Sequence, residues 1–327
     1  MQSLSIYCNA DLPDDDAAFL ARATAPHRLI RPEQGAVGVL GAGPQDPRVD
    51  EADVVFGQPD LVQIIDAPRL AWVHLTSAGY TRYDRPDLRR AFADRGAALT
   101  KSSLVYDEPC ALHVLAFMCA HARQLPAALE SQRGARDWPH GALRARSRLL
   151  RDETAVIVGL GSIGRRLVEL LSPLRLRLSA LRRRVVGDEP IPTFSTGDPA
   201  ATADLLAEAD HVINILPDSP ATQHFFGAAR FAGLKPGAVF YNIGRGATVD
   251  ENALHAVLVS GRLGAAYLDV TSSEPLPVTH PLWVAPHCFI TPHTAGGHDK
   301  ENLRLIHHFL DNLARFTTGR PLLDRVF

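Results

Sequence analysis

The stretch Thr154-Ala155-Val156-Ile157-Val158 runs directly into Gly159-Leu160-Gly161-Ser162-Ile163-Gly164, and Arg165 to Leu171 continues with the apolar spacing of a helix. A buried strand, a glycine-rich turn and a helix in this order commit the chain to a parallel sheet with a helical crossover. Each glycine answers a steric need. Gly159 permits the tight turn, Gly161 lets backbone amides approach a pyrophosphate, and Gly164 lets helix and strand pack closely. The helix N-terminus, with Ser162 and Ile163 in its first turn, then points free N–H groups at the anion.

Strand-like runs recur after this point at Arg177 to Leu181, His211 to Leu216, Ala238 to Asn242, Gly264 to Leu268 and Cys288 to Thr291. Helical periods separate most of them, so the six runs suffice for a complete dinucleotide-binding sheet. An earlier series lies at Leu4 to Cys8, Val37 to Leu40, Val54 to Phe56 and Trp72 to Leu75. Between the two series, Asp107-Glu108-Pro109 reads as a helix start, and the apolar run Ala111 to Leu125 reads as a long bridging helix ending at Pro126. Helical spacing returns at Asn302 to Arg315, which by chain order crosses back to the first series. The expected architecture is α/β: two Rossmann-like, doubly wound parallel-sheet domains, with a coenzyme domain (102–297) inserted into a substrate domain (1–101 and 298–327).

The second strand of such a domain ends, in chains that read the ribose hydroxyls of NAD, in an acidic residue roughly 20 positions past the glycines. Here it ends in Arg182-Arg183-Arg184. Guanidinium groups at that point suit a 2′-phosphate, each charge-assisted contact contributing about 1.5–3 kcal/mol. The expectation is therefore NADP(H) as preferred coenzyme, with NAD(H) possible. Set against it, lysine occurs only at Lys101, Lys235 and Lys300, so arginine is this chain's habitual base and three of them also suit a solvated loop.

Three polar residues follow successive late strands, where open α/β sheets place their ligands. Arg245 follows Phe240 to Gly244, Glu274 follows Tyr267 to Val270, and His293 follows Phe289 to Pro292. Reduction of a ketone requires a proton for the nascent alkoxide, and histidine titrates where that transfer is easy. A carboxylate beside it favours the imidazolium. Arginine grips a carboxylate with two parallel hydrogen bonds and so orients a keto acid. These patterns assign His293 as proton donor, Glu274 as its partner and Arg245 as substrate clamp.

Taken with Leu216-Pro217-Asp218-Ser219-Pro220-Ala221-Thr222, Asn242-Ile243-Gly244-Arg245-Gly246, Asp269 to Pro275 and Thr291-Pro292-His293-Thr294-Ala295-Gly296-Gly297, the glycine motif makes the chain resemble the D-isomer-specific 2-hydroxyacid dehydrogenases over nearly its whole length. The resemblance implies D stereochemistry, a catalytic set at Arg245, Glu274 and His293, and Asp269 near the nicotinamide amide. It extends the coenzyme contacts to Leu216, Pro217, Thr222, Ile243, Gly244, Arg245, His293, Ala295 and Gly296. It also implies carboxylate binding by the loop around Ser77, Ala78 and Gly79, and a homodimer joined through the coenzyme domain and bridging helix. Two departures stand out: Arg182 where NAD-using members commonly carry Asp, and Leu112 before His113 where many members have Glu. The resemblance also implies glyoxylate and hydroxypyruvate as small substrates, since reductases of that kind in the family carry arginine at the ribose position.

Other features carry less. Trp283 either caps the substrate pocket or fills the core, and Tyr80 and Tyr106 either reach the cleft between the domains or serve as surface residues. His287, His298, His307 and His308 lack the spacing and carboxylate of a metal site, so none is expected. Cys8, Cys110, Cys119 and Cys288 are scattered without a Cys-x-x-Cys pair, which favours reduced thiols. A net charge of -2 gives no footprint for nucleic acid, and no apolar run reaches membrane-spanning length. Without a basic, apolar leader the expected location is the cytoplasm. Rival readings are a phosphoglycerate, formate or phosphite dehydrogenase on the same scaffold, or a dinucleotide-sensing corepressor-like protein. The His–Glu pair argues against formate oxidation, and the short stretch after the last helix offers no regulatory domain of the phosphoglycerate type.

Overall fold

A computed structural model describes residues 3–32 and 35–327. The chain divides into two compact units, one formed by Met1–Tyr106 with His298–Phe327 and the other by Asp107–Gly297. Every strand pair in both sheets is parallel.

The first unit holds β1 (Ser5–Cys8), β2 (Arg28–Ile30), β3 (Val54–Gly57), β4 (Trp72–Leu75) and β5 (Ala98–Thr100), in the order β2-β1-β3-β4-β5. β3 and β4 are buried along their whole length, as strands covered by helices on both faces must be. The C-terminal helix Glu301–Thr317 supplies one cover: Phe309 stacks on Phe56 at 4.4 Å and on Trp72 at 5.3 Å. The final residues close the sheet edge, with Val326 N donating to Leu99 O and Leu99 N to Phe327 O.

The second unit holds β6 (Thr154–Val158), β7 (Arg177–Arg182), β8 (Thr193–Ser195), β9 (His211–Asn214), β10 (Val239–Asn242), β11 (Ala265–Leu268) and β12 (Cys288–Ile290). Their order is β12-β11-β10-β9-β6-β7-β8, so strand order reverses between β6 and β9. A crevice at the carboxyl ends of those two strands is where such sheets take ligands. Aromatic side chains line one face in register: Tyr241, Tyr267 and Phe289 stack from β10 through β11 to β12 at 5.5 and 4.8 Å.

The two-sheet α/β architecture agrees with the sequence expectation, with local corrections. Val37–Leu40 is not a strand; only Val37 bridges, to Ala10, and the chain then turns with Gly41 N bonded to Gly38 O. Glycines at 35, 38 and 41 leave no continuous side-chain face to bury. Strands β2, β5 and β8, three residues each, lie at sheet edges and were too short to stand out as periodic runs. The long helix starts at Ser103 rather than Asp107 and carries Pro109 inside it. Its buried face of Val105, Cys110, Ala111, Val114 and Met118 outweighs the one missing ladder bond. It stops at Ala122, and Pro126 belongs to the first turn of a separate helix, Leu125–Arg133, set off by Gln124 at φ +56°.

His121, near the end of the long helix, meets the Tyr267 hydroxyl at 3.4 Å. Burial pushes its imidazole down from the ordinary 6.5 to about 4, with the Arg148 and His211 charges adding to the effect and Glu153 opposing it. Unfolding restores the ordinary value, so between roughly pH 6.5 and 4 the unfolded chain binds a proton that the folded chain does not, and stability falls as pH falls. His121→Gln should therefore lose less melting temperature than the wild type between neutral and mildly acidic pH. Parallel melting curves for the two proteins would show that His121 does not contribute.

Candidate active site

The glycine turn after β6 is shaped for an anionic ligand. Gly159 sits at φ +105°, and a Cβ there would lie 2.9 Å from Ile215 O. A Cβ on Gly164 would lie 2.7 Å from Gly159 O, so helix Ser162–Leu171 packs against the turn at a distance only glycine allows. Gly161 caps that helix with nothing within 4 Å of its would-be Cβ, which leaves the helix N-terminus open to a phosphate group. A dinucleotide therefore fits this cradle.

β9, at the switch point, and its neighbour β10 end in Asn214 and Asn242. Asn214 Nδ2 donates to Asn242 Oδ1 (3.0 Å) and to Thr248 Oγ1 (2.7 Å), while the two side-chain oxygens accept from Leu216 N and Gly244 N. This buried amide pair fixes the loops carrying Leu216 and Arg245. Gly244 lies against Leu216, where a Cβ would meet backbone at 2.6 Å. Thr222 Oγ1 closes the turn by donating to Pro217 O at 2.6 Å. Arg245 is half-buried, with Nη1 on its neighbour's carbonyl, Gly244 O, at 2.6 Å.

The strands β10, β11 and β12 are adjacent, and Asn242, Leu268 and Ile290 are in register. Arg245, Asp269 and His293 thus project from neighbouring carboxyl ends. Asp269 is almost fully buried, and its carboxylate accepts from Thr291 Oγ1 (2.6 Å), Thr294 N (2.8 Å) and Ala295 N (3.0 Å). Its own carbonyl accepts from His293 N at 2.8 Å. These bonds hold His293 at φ +53°, a left-handed conformation costly for any residue with a Cβ. His293 Nδ1 lies 2.6 Å from Glu274 Oε2, and the other carboxylate oxygen accepts from Thr271 N at 3.1 Å. With Nδ1 engaged and the side chain 24% exposed, Nε2 is the nitrogen left to face a substrate.

The loop carrying Glu274 is held from below. Ser272 N donates to Glu251 Oε1 at 2.7 Å, and Gly246 packs so tightly that a Cβ would sit 1.9 Å from the Thr271 carbonyl carbon. His113 completes the surroundings of Asp269: its Nε2 is 3.1 Å from Thr291 Oγ1, whose hydrogen already goes to Asp269, so Nε2 donates. Burial lowers the His113 pKa, with Asp269 opposing, and so favours the neutral ring. Its neighbour Leu112 is exposed. His113 and Glu251 are supporting residues that strand-end reasoning did not identify.

The three arginines at the end of β7 are not equivalent. Arg182 Nη1 is paired with Glu189 Oε1 at 2.9 Å, whereas Arg183 and Arg184 are exposed and form no ion pair among the described residues. Glu189 was missed in the sequence; the available signal was an acid seven residues beyond the arginine. Trp283 is 48% exposed and donates to Pro277 O at 3.0 Å, so it is not a core residue.

In the first unit, the loop after β4 is braced by Gln58, whose Nε2 donates to Thr76 Oγ1 and Ser77 Oγ, and by Ser77 Oγ donating to Gly79 O at 2.6 Å. Ala78 lies within that braced turn. The Tyr106 hydroxyl donates to Thr76 O at 2.9 Å, and Lys101 Nζ lies 5.1 Å from the centre of the Tyr80 ring. His308 pairs with Asp324 and His307 packs against Phe19; among the described residues no cluster of three or more His, Cys, Asp or Glu side chains could hold a metal ion. All four cysteines are free, and no described helix is long and apolar enough to cross a membrane.

Residues 115–295 match the family model described as D-isomer specific 2-hydroxyacid dehydrogenase, NAD binding domain. A glyoxylate/hydroxypyruvate reductase B from Pectobacterium atrosepticum is 30% identical over 289 residues, 87% of this chain and 83% of that protein. An uncharacterized protein from Corynebacterium melassecola is 35% identical over 178 residues, and the alignment spans just over half of each chain, 54% and 57%. Among solved structures, a D-isomer specific 2-hydroxyacid dehydrogenase from Xanthobacter autotrophicus Py2, in complex with NADPH and MES, superposes with a TM-score of 0.82 at 27% identity, covering 100% of this chain and 98% of its own.

Asp269→Asn replaces a three-way acceptor with an amide that must turn an N–H toward one of its donors. We expect a loss of roughly 2–4 kcal/mol, since hydrogen bonds to a buried charge contribute about 1.5–3 kcal/mol each. Thermal unfolding should move down by several degrees, and turnover should fall with it. An unchanged melting curve would contradict the role given to this carboxylate.

Proposed function

The chain belongs to the D-isomer specific 2-hydroxyacid dehydrogenases, NAD(P)-dependent oxidoreductases, and on that premise we propose that it reduces a small 2-keto acid to the D-2-hydroxy acid with NADPH as preferred coenzyme. The observation that carries this reading is the 2.6 Å His293–Glu274 pair, standing at a strand end beside that of Arg245. Bound nicotinamide supplies the hydride in reduction and takes it up in oxidation. His293 gives its Nε2 proton to the carbonyl oxygen as negative charge develops there, and Glu274 balances the imidazolium before transfer. Arg245 grips the substrate carboxylate and so orients the keto carbon.

The coenzyme is assigned to the Gly159–Gly164 turn, to Leu216, Pro217 and Thr222, to Ile243 and Gly244, and to Asp269, Ala295 and Gly296. Arg182, Arg183 and Arg184 are the proposed 2′-phosphate contacts. The Xanthobacter structure, whose description names NADPH, supports this choice. Ser77, Ala78 and Gly79 are proposed to add backbone N–H donors to the substrate carboxylate, and Trp283 to border its side chain. The similarity to a glyoxylate/hydroxypyruvate reductase supports small substrates of that kind. The family resemblance supports a homodimer, and the cytoplasm is the proposed location.

A panel of 2-keto acids, glyoxylate and hydroxypyruvate among them, assayed with each coenzyme tests the proposal. We expect consumption of NADPH with at least one small keto acid, and a kcat/KM for NADPH above that for NADH. Equal or inverted coenzyme efficiencies would remove the preference. A wholly inactive panel would favour a dinucleotide-sensing binding protein.

A further inference from the structure

The loop between β7 and β8 folds back on the end of β7. Glu189 thereby reaches Arg182, and its carboxylate accepts from Arg182 Nη1 (2.9 Å), Val186 N (2.8 Å) and Gly187 N (2.8 Å). Only 5% of the Glu189 side chain is exposed. A second clasp stabilises the same loop, Arg165 Nη2 on Asp188 Oδ1 at 2.8 Å. Two successive backbone N–H groups and a guanidinium are the donors that elsewhere form an anion nest. Here the chain fills that nest with its own anion. The N–H donors of Val186 and Gly187, helped by the Arg182 hydrogen bond and opposed by desolvation, hold the Glu189 carboxyl below its usual range, so it is ionised at neutral pH.

We propose that Glu189 competes with the coenzyme's 2′-phosphate for Arg182, and so sets how strongly the site discriminates between phosphorylated and unphosphorylated coenzyme. The inference rests on the reading that the arginines at the end of β7 face the adenosine ribose. A phosphate monoester carries roughly −1.5 to −2 charges at neutral pH, so it must either displace the carboxylate or share one guanidinium with a like charge. An unphosphorylated ribose meets no such conflict. The loop thus sets a carboxylate, from seven residues downstream, on the arginine that ends β7. Selectivity for NADPH is weaker than three arginines imply, and NADH remains usable.

The test is equilibrium titration of the wild type, Glu189→Gln, Arg182→Ala and the double variant with adenosine 2′,5′-bisphosphate and with 5′-AMP. The amide of Glu189→Gln removes the charge and keeps an oxygen for one of the two backbone donors. It should bind the bisphosphate about five- to tenfold more tightly and change 5′-AMP by less than about twofold, as expected when one charge contact is freed. In the Arg182→Ala background the same substitution should give no gain. If Glu189→Gln melts early, Glu189→Asp, which keeps the charge on a shorter arm, should move bisphosphate affinity in the same direction by less. Unchanged bisphosphate affinity, or equal tightening of both ligands, overturns the inference. A wild-type preference for bisphosphate that depends on Arg182 but ignores Glu189 overturns the inference alone. No preference in the wild type, and none created by Glu189→Gln, overturns the NADPH reading with it.

Discussion

The carboxylate of Asp269 gathers the site. It is a charge almost fully out of water, tolerable only because Thr291, Thr294 and Ala295 each donate a hydrogen bond to it. All three donors belong to the segment that carries His293, and the Asp269 backbone adds a bond to the His293 amide. A histidine at φ +53° would otherwise relax. The geometry of the proposed catalytic pair therefore depends on a group that need not touch the substrate at all. Glu274 then fixes the ring, and its own loop is fixed by Glu251 and by the glycine contact at Gly246.

A second electrostatic balance governs the coenzyme end. The glycine turn after β6 offers backbone donors and open space, which suit the pyrophosphate of either coenzyme. In the proposed function discrimination falls to the end of β7, where Arg182 is paired with Glu189 and only Arg183 and Arg184 of the three stand without an ion pair among the described residues. Counting arginines in the sequence overstates the positive potential there.

Much of the second unit was readable because its signals are local. A five-residue strand running into Gly159–Gly164 admits few alternatives, and Arg245, Glu274 and His293 each follow closely on an apolar run that reads as a strand. What escaped notice depends on contacts distant in sequence or on single backbone angles. Glu189 gains its meaning only when the loop folds back onto Arg182. His113 reaches Thr291 across 178 residues. The start of the long helix was misplaced because Pro109 reads locally as an early helix position, whereas tertiary burial carries the helix back to Ser103. Val37–Leu40 is apolar enough for a strand, but Gly38 within it and Gly35 and Gly41 beside it leave no continuous face to pack.

The central claim is that His293 delivers the proton in the reduction of a keto acid. His293→Ala, assayed with NADPH and the best substrate while NADPH affinity is measured on the same protein, tests it most directly. The account predicts that turnover falls by about two to four orders of magnitude, the usual contribution of a positioned acid, while coenzyme affinity stays within a few-fold of wild type. Turnover retained at the wild-type level, with coenzyme bound normally, would contradict it.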